Sequence, residues 1–212
     1  MKKIFVLLFG LSLAITSLHS LAATERFEEG SQYRKIVPAL TSQGLQKGKV
    51  EVIEFFWYGC PHCHSFEPHL NKWLENKPEN VSFQRIPAIF NKAWVIHAKA
   101  FYTAEMLGIT DKVHLAIFDA IHNKKKGLNK ASEIVQFMAK VSGLDKQVIS
   151  DTLGSFAIET KSRQAIQAAR LHSLRGVPAV TINGKYLTSG RLAGDYPVML
   201  EVIDFLIAKE SQ

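Results

Sequence analysis

Two cysteines separated by a proline and a histidine, Cys60-Pro61-His62-Cys63, carry the most specific chemistry in this chain, and no other cysteine accompanies them. Three chemistries use such a spacing. In thiol–disulfide exchange, two intervening residues at a helix start bring both sulfurs within bonding reach. The first sulfur then faces the unpaired N–H groups of the opening turn. Those dipoles favour thiolate over thiol, and a protonated His62 adds to them. The second cysteine lies a turn further in and is expected to be more buried. With His64 the segment also spells C-x-x-C-H, the pattern that attaches c-type haem. Against haem, it abuts a strongly apolar strand, and Met106, Met138 and Met199 look like core or helix-face residues, not axial ligands. Zinc takes about four ligands. Cys60, Cys63 and His62 or His64 crowd one turn, no second Cys/His pair follows, and His69 and His97 are isolated. A purely structural disulfide here closes too small a loop to stabilise much.

The elements that position the pair follow from residue patterning. Val50 to Trp57 is dense in β-branched and aromatic residues and predicts a strand buried on both faces. Gly59 ends it, and Pro61 suits the first position of a helix, where its missing N–H is no loss. Phe66, Leu70, Trp73 and Leu74 carry that helix to about Asn76, with a kink expected at Pro68. Val81 to Ile86 is a second strand, so the cysteines sit at a strand–turn–helix junction of a βαβ unit. A weaker strand candidate, Gln32 to Val37, precedes it.

Residues 93–174 change character. Helices are expected at Ala93–Leu107, Asp111–His122, Ser132–Ser142, Asp145–Leu153 and Phe156–Leu174, punctuated by Gly108, Gly127, Gly143 and Gly154. Then Ala179–Ile182 and Lys185–Leu187 flank Asn183-Gly184, a strong hairpin signal. A last helix spans Tyr196 to Lys209, with Asp195 as N-cap. The order predicts an α/β domain interrupted by an all-helical insertion. The expected division is 23–91 with 173–212 for the discontinuous domain and 92–172 for the insertion.

Lys2 and Lys3, an apolar run from Ile4 to Leu18 and the small residues Ser20-Leu21-Ala22-Ala23 form the three-part pattern of a secretory signal peptide, residues 1–22. Cleavage after Ala22 puts Ser20 and Ala22 at the small-residue positions, and cleavage after Ala23 fits nearly as well. The run falls short of the roughly 20 apolar residues a spanning helix needs. The mature chain is therefore expected in an exported, oxidising space. The 26 basic and 19 acidic residues give a net charge of +7. No dense basic stripe interleaved with aromatics is present, which argues against nucleic acid. Lys124-Lys125-Lys126 beside Gly127 reads as a solvated loop.

Glu54-Phe55-Phe56, Cys60-Pro61-His62-Cys63 and Arg175-Gly176-Val177-Pro178 together resemble the DsbA family of periplasmic thiol–disulfide oxidases, over nearly the whole mature chain. The resemblance implies a thioredoxin-like fold with inserted helices. It implies that Cys60 is the exposed, attacked sulfur and Cys63 its buried partner. Pro178 would be a cis-proline facing the cysteines, where the residues alone favour a trans proline at a strand start. Val177 would offer its backbone to an extended substrate, with Pro61 beside it. Glu54 matches the family's acidic residue beneath the cysteines. An acid in an apolar strand has its pKa raised, so it could exchange a proton with Cys63; the alternative is an edge position in a salt bridge. Arg85, on the next strand, is its candidate partner and could act only electrostatically. His64 reads as a surface helix residue.

The same resemblance implies the biological setting. Substrates would be unfolded exported polypeptides, and a quinone-linked, DsbB-like membrane protein would restore the disulfide. No flavin or nicotinamide fingerprint is present and no bound cofactor is called for. A monomer is expected. A reductase or isomerase of the same fold, a c-type cytochrome and a pure binding protein are the rivals. Too few residues precede Val50 to form the dimerisation domain of an isomerase.

Overall fold

The computed structural model describes residues 26–41 and 48–211. The expected leader, with its cleavage point, lies outside the described residues. Five strands form one mixed sheet in the order β1-β5-β4-β2-β3. They are β1 (Arg34–Lys35), β2 (Val50–Phe56), β3 (Val81–Pro87), β4 (Ala179–Ile182) and β5 (Tyr186–Ser189). β2 and β3 are parallel and joined by helix α1 (Pro61–Glu75), which is the predicted βαβ unit. β4 lies antiparallel on the other side of β2, and β5 and β1 continue the sheet.

β2 is buried on both faces because it sits between two strands with side chains covered above and below. Its alternation sends Val50, Val52, Glu54 and Phe56 to one face and Ile53 and Phe55 to the other. On the first face Val50 and Val52 pack with Phe66 and Leu70 of α1 and with Met199 and Ile203 of the last helix, α8 (Tyr196–Glu210). On the second, the Phe55 ring meets His172 at 4.9 Å. Asn183 and Gly184 both take positive φ, 49° and 60°, as a two-residue hairpin turn requires.

Between β3 and β4 run only helices: α2 (Val95–Met106), α3 (Thr110–His122), α4 (Ala131–Ser142), α5 (Lys146–Leu153) and α6 (Phe156–Leu171). α2 is buried nearly all round, through His97, Ala98, Phe101, Tyr102 and Ala104, and is the spine of this block. The core of the block is continuous with Phe56, Tyr58, Cys60 and Cys63. The helical insertion therefore roofs the junction that carries the cysteines.

Several boundaries differ from expectation. The first strand shortens to Arg34–Lys35, the two residues in register with Leu187 and Tyr186. The helix expected from Ala93 opens as a 3-10 turn, Lys92–Trp94, because the Asn91 side chain caps the Ala93 N–H at 2.9 Å. α6 stops at Leu171 and not Leu174: Ser173 turns left-handed (φ 54°), and the Leu174 N–H folds back to the Ala169 carbonyl. α1 runs unbroken through Pro68, which removes its own N–H from the ladder without ending the helix. A short helix, α7 (Gly190–Ala193), has no periodic signal in the sequence; Ser189 caps it.

Candidate active site

Cys60 is the N-cap of α1, with Pro61 at the first helical position, and its backbone N–H bonds the Trp57 carbonyl at 2.9 Å. Both cysteines are free thiols. Cys63 is completely buried, while Cys60 retains 8% exposure, so the outer sulfur is far less open than expected. The cover comes from the loop before β4. The Val177–Pro178 bond is cis, and the Val177 carbonyl accepts from Cys60 Sγ at 3.5 Å.

The two sulfurs are driven apart in acidity. Cys60 is pulled down to about 6, first by the hydrogen bond that Cys63 offers its anion, then, against burial, by the N–H groups of Cys63 and His62 and the His62 charge. Cys63 is pushed up, chiefly by burial and then by its position beside the Cys60 anion and Glu54. The inner thiol thus outranks the helix start as stabiliser of the thiolate. In the dithiol no side-chain hydrogen bond caps α1.

Beneath the sulfurs lies a buried chain of polar groups. The β2–β3 register sets Glu54 opposite Arg85, and Arg85 Nε donates to Glu54 Oε2 at 2.9 Å. The same guanidinium donates through Nη2 to Glu67 Oε2 at 3.2 Å and to Asn71 Oδ1 at 3.0 Å. Glu67 Oε1 accepts from His114 Nε2 at 3.1 Å, and His114 Nδ1 meets the Tyr58 hydroxyl at 2.9 Å. One cation therefore serves two carboxylates, and they divide unequally. Glu54 is raised to about 8 by burial and the neighbouring Glu67 charge, which together outweigh Arg85. Its Oε1 is buried without a hydrogen-bond partner among the described residues. Glu67 goes the other way: burial works to raise it, but the His114 hydrogen bond, the Arg85 charge and Asn71 hold it low. The sequence leaves Glu54 as either a buried acid or an edge residue in a salt bridge; it is fully buried on a central strand, and Arg85 reaches it there.

Beside the cysteines opens a cavity of about 940 Å³, bounded by His62, Val177, Pro178, Tyr196 and Pro197 among others. The Tyr196 hydroxyl donates to the His62 carbonyl at 3.0 Å, fixing the first turn of α1 against α8.

A DSBA-like thioredoxin domain model matches residues 86–196. The thiol:disulfide interchange protein DsbA of Azotobacter vinelandii is 41% identical over 202 residues, 90% of this chain and 94% of its own length. The chain belongs to the DsbA family. The DsbA of Pseudomonas aeruginosa is 39% identical over 93% of each chain. The crystal structure of that DsbA superposes with a TM-score of 0.81, covering 87% of this chain and 94% of that one at 38% identity. The DsbA oxidoreductase of Xylella fastidiosa gives 0.79 at 30% identity, over 85% and 96%. This DsbA-family chain is a thiol–disulfide oxidoreductase of thioredoxin-like fold with a helical insertion.

Cys60, Cys63, His62, Pro61, Val177 and Pro178 all gather at one junction, with Glu54 and Arg85 beneath it. His64 departs from expectation. It is not a free surface residue: it is half-buried, stacked on His122 at 4.8 Å and against Phe118 at 5.9 Å. Its packing comes from α3, which no local pattern around His64 reveals. Glu67, His114 and Tyr58 do not stand out in the sequence. Glu67 has a usable signal, since it lies four residues after Cys63 and so on the same face of α1.

Proposed function

We propose that this protein oxidises dithiols of exported, folding polypeptides by transferring its Cys60–Cys63 disulfide to them. The observation that carries the proposal is the unequal placing of the two sulfurs: Cys60 at the start of α1, 3.5 Å from the Val177 carbonyl, and Cys63 completely buried within the first turn. Their acidities diverge accordingly, Cys60 drawn down to about 6 and Cys63 pushed up. A substrate thiolate attacks Sγ of Cys60; the Cys60–Cys63 bond breaks, and Cys63 leaves with the electron pair and takes a proton. A second substrate thiolate then attacks the substrate sulfur of the mixed disulfide and expels Cys60 as a thiolate. Two electrons have passed from substrate to enzyme, and the substrate carries a new disulfide.

Direction follows from the stability of the expelled thiolate. Each unit by which its pKa lies below ambient pH favours the reduced enzyme by about 1.4 kcal/mol, or roughly 30 mV of oxidising power in a two-electron couple. Cys63 cannot hold charge in its buried position, so it needs a proton when it leaves. Glu54, still protonated near neutrality, is the proposed source. Val177 and Pro178, with Pro61 and His62, form the face on which an extended substrate would lie.

The related DsbA proteins support a periplasmic location after removal of the leader, substrates among exported chains and reoxidation by a quinone-linked, DsbB-like membrane protein. We extend the proposal to a monomer and to the division 23–91 with 173–212 around an insertion at 92–172. Equilibration of the enzyme with reduced and oxidised glutathione tests the direction. An oxidase comes to rest mostly reduced at a ratio that leaves ordinary protein disulfides intact; a protein that stays oxidised there is a reductase. Cys60→Ser is expected to abolish peptide oxidation, and retained oxidation would remove Cys60 as the disulfide donor; a parent protein that binds the peptide without oxidising it would be a binding protein.

A further inference from the structure

The cavity beside the cysteines carries positive charge that the protein does not neutralise. Arg34 reaches it from β1, Arg175 from the loop before β4 and Arg191 from α7. Among the described residues none of the three is ion-paired with a carboxylate. Arg34 donates to the carbonyl of Ser173; Arg175 and Arg191 are exposed. Asp195 is the one acid in the lining among the described residues, and its carboxylate is committed to the N-terminus of α8, accepting the Val198 N–H at 2.8 Å. Partial burial and the neighbouring Arg175 charge both weigh against the Arg34 cation. Three separate elements thus bring like charges to the lining of one groove, which Val177 also lines, and the Val177 carbonyl is 3.5 Å from Cys60 Sγ. A guanidinium presents a planar fork of donors that matches a carboxylate, and a charged groove raises the encounter rate of an oppositely charged partner.

We propose that this groove selects thiol substrates whose reactive cysteine is flanked by aspartate or glutamate, with Arg34, Arg175 and Arg191 as the specificity-determining residues. The occupant is a segment of the substrate polypeptide itself, because the groove is continuous with the backbone that faces the attacked sulfur. The inference rests on the assignment of Cys60–Cys63 as the disulfide donor.

The test uses three dithiol peptides of one sequence, with the cysteines flanked by aspartate, by serine or by lysine. Each rate with the oxidised protein is divided by the rate of the same peptide with bis(2-hydroxyethyl) disulfide, an uncharged reference that removes the effect of flanking charge on the peptide's own thiols. The acidic peptide is expected to exceed the basic one by about tenfold at low salt, the scale of two or three surface charge pairs, and to lose that lead at high salt. In the double variant Arg175→Glu/Arg191→Glu, whose two sites are exposed, the preference is expected to vanish or invert. Equal corrected rates for all three peptides, or a preference that survives in the double variant, would overturn the charge selection. Failure of the unaltered protein to oxidise any peptide, or dithiothreitol, would instead overturn the donor assignment on which it rests.

Discussion

His114 Nε2 stands 3.1 Å from Glu67 Oε1, which ties the inserted helix α3 to the helix that carries both cysteines. Burial lowers the His114 pKa, so the ring is neutral near pH 7. A neutral imidazole has one donor and one acceptor. Glu67 is held ionised and can only accept, so Nε2 carries the proton and Nδ1 accepts from the Tyr58 hydroxyl. His114 thereby supports the Glu67 charge without adding one. That charge, in turn, competes with Glu54 for Arg85 and helps keep Glu54 protonated.

Removing that support is expected to leave a buried carboxylate short of a donor. His114→Leu should cost about 2 kcal/mol, in the range for an unsatisfied buried charged group. The loss should grow as pH rises, because Glu67 then ionises less readily in the folded than in the unfolded chain. His114→Gln, which restores an N–H, should recover part of it. Urea denaturation at pH 5 and pH 8 gives the comparison; a loss independent of pH would show that packing alone is at stake.

Glu54 has the opposite sign. Its folded pKa of about 8 lies above the ordinary carboxylate value of 4.5. The folded state therefore binds more protons than the unfolded state between those limits, and stability falls as pH rises through the window. Glu54→Gln removes this slope. The variant is expected to be more stable than the parent by about 2 kcal/mol near pH 7, with a smaller difference at pH 5. It should also slow formation of the mixed disulfide, because Cys63 loses its proton source. Unchanged rates in the variant would remove Glu54 from the chemistry.

The cysteine pair, Gly59, Pro61 and the apolar strand before them make the redox junction legible in the sequence, since each acts through its own neighbours in the chain. The Asn183-Gly184 turn and the run of helices from α2 to α6 are legible for the same reason. What stays hidden is set by long-range packing. The stacking of His64 on α3 is one such contact, whereas the Glu54–Arg85 pair and the approach of Val177 to Cys60, which rest on strand register and on a loop distant in the chain, are expected only through the family resemblance. The Glu67–His114 contact needs the insertion to fold back over α1. Positional charge in the groove is equally invisible locally, because Arg34, Arg175 and Arg191 come from three separate elements.

Trapping experiments separate the roles of the sulfurs. Incubated with a disulfide-bonded peptide, Cys63→Ser should accumulate a mixed disulfide, detectable by mass: the Cys60 thiolate attacks the peptide disulfide and expels one peptide thiolate, and no inner thiol remains to release the other. Cys60→Ser should accumulate none. Adducts on Cys63 in the second variant would reverse the assignment of the attacked sulfur.

The reduced protein should melt above the oxidised one. The folded Cys60 thiol, at about 6, lies below its unfolded value, so it contributes stability that is fully present above the unfolded pKa and disappears as pH falls through 6. Near pH 7 one unit's worth is about 1.4 kcal/mol, and solvent screening at this partly open sulfur brings it to about 1 kcal/mol. The gap between the two melting temperatures should therefore widen from pH 5 to pH 8. An oxidised form that melts at or above the reduced form across that range would defeat the oxidase assignment.

The most direct measurement is the titration of thiolate absorbance in the reduced protein, with Cys63→Ala as its companion. One thiol is expected to ionise with a midpoint near 6, and the midpoint should move upward in Cys63→Ala, because the inner thiol is the largest stabiliser of the Cys60 anion. A Cys60 midpoint in the ordinary thiol range, about 8.5, would contradict the account at its centre.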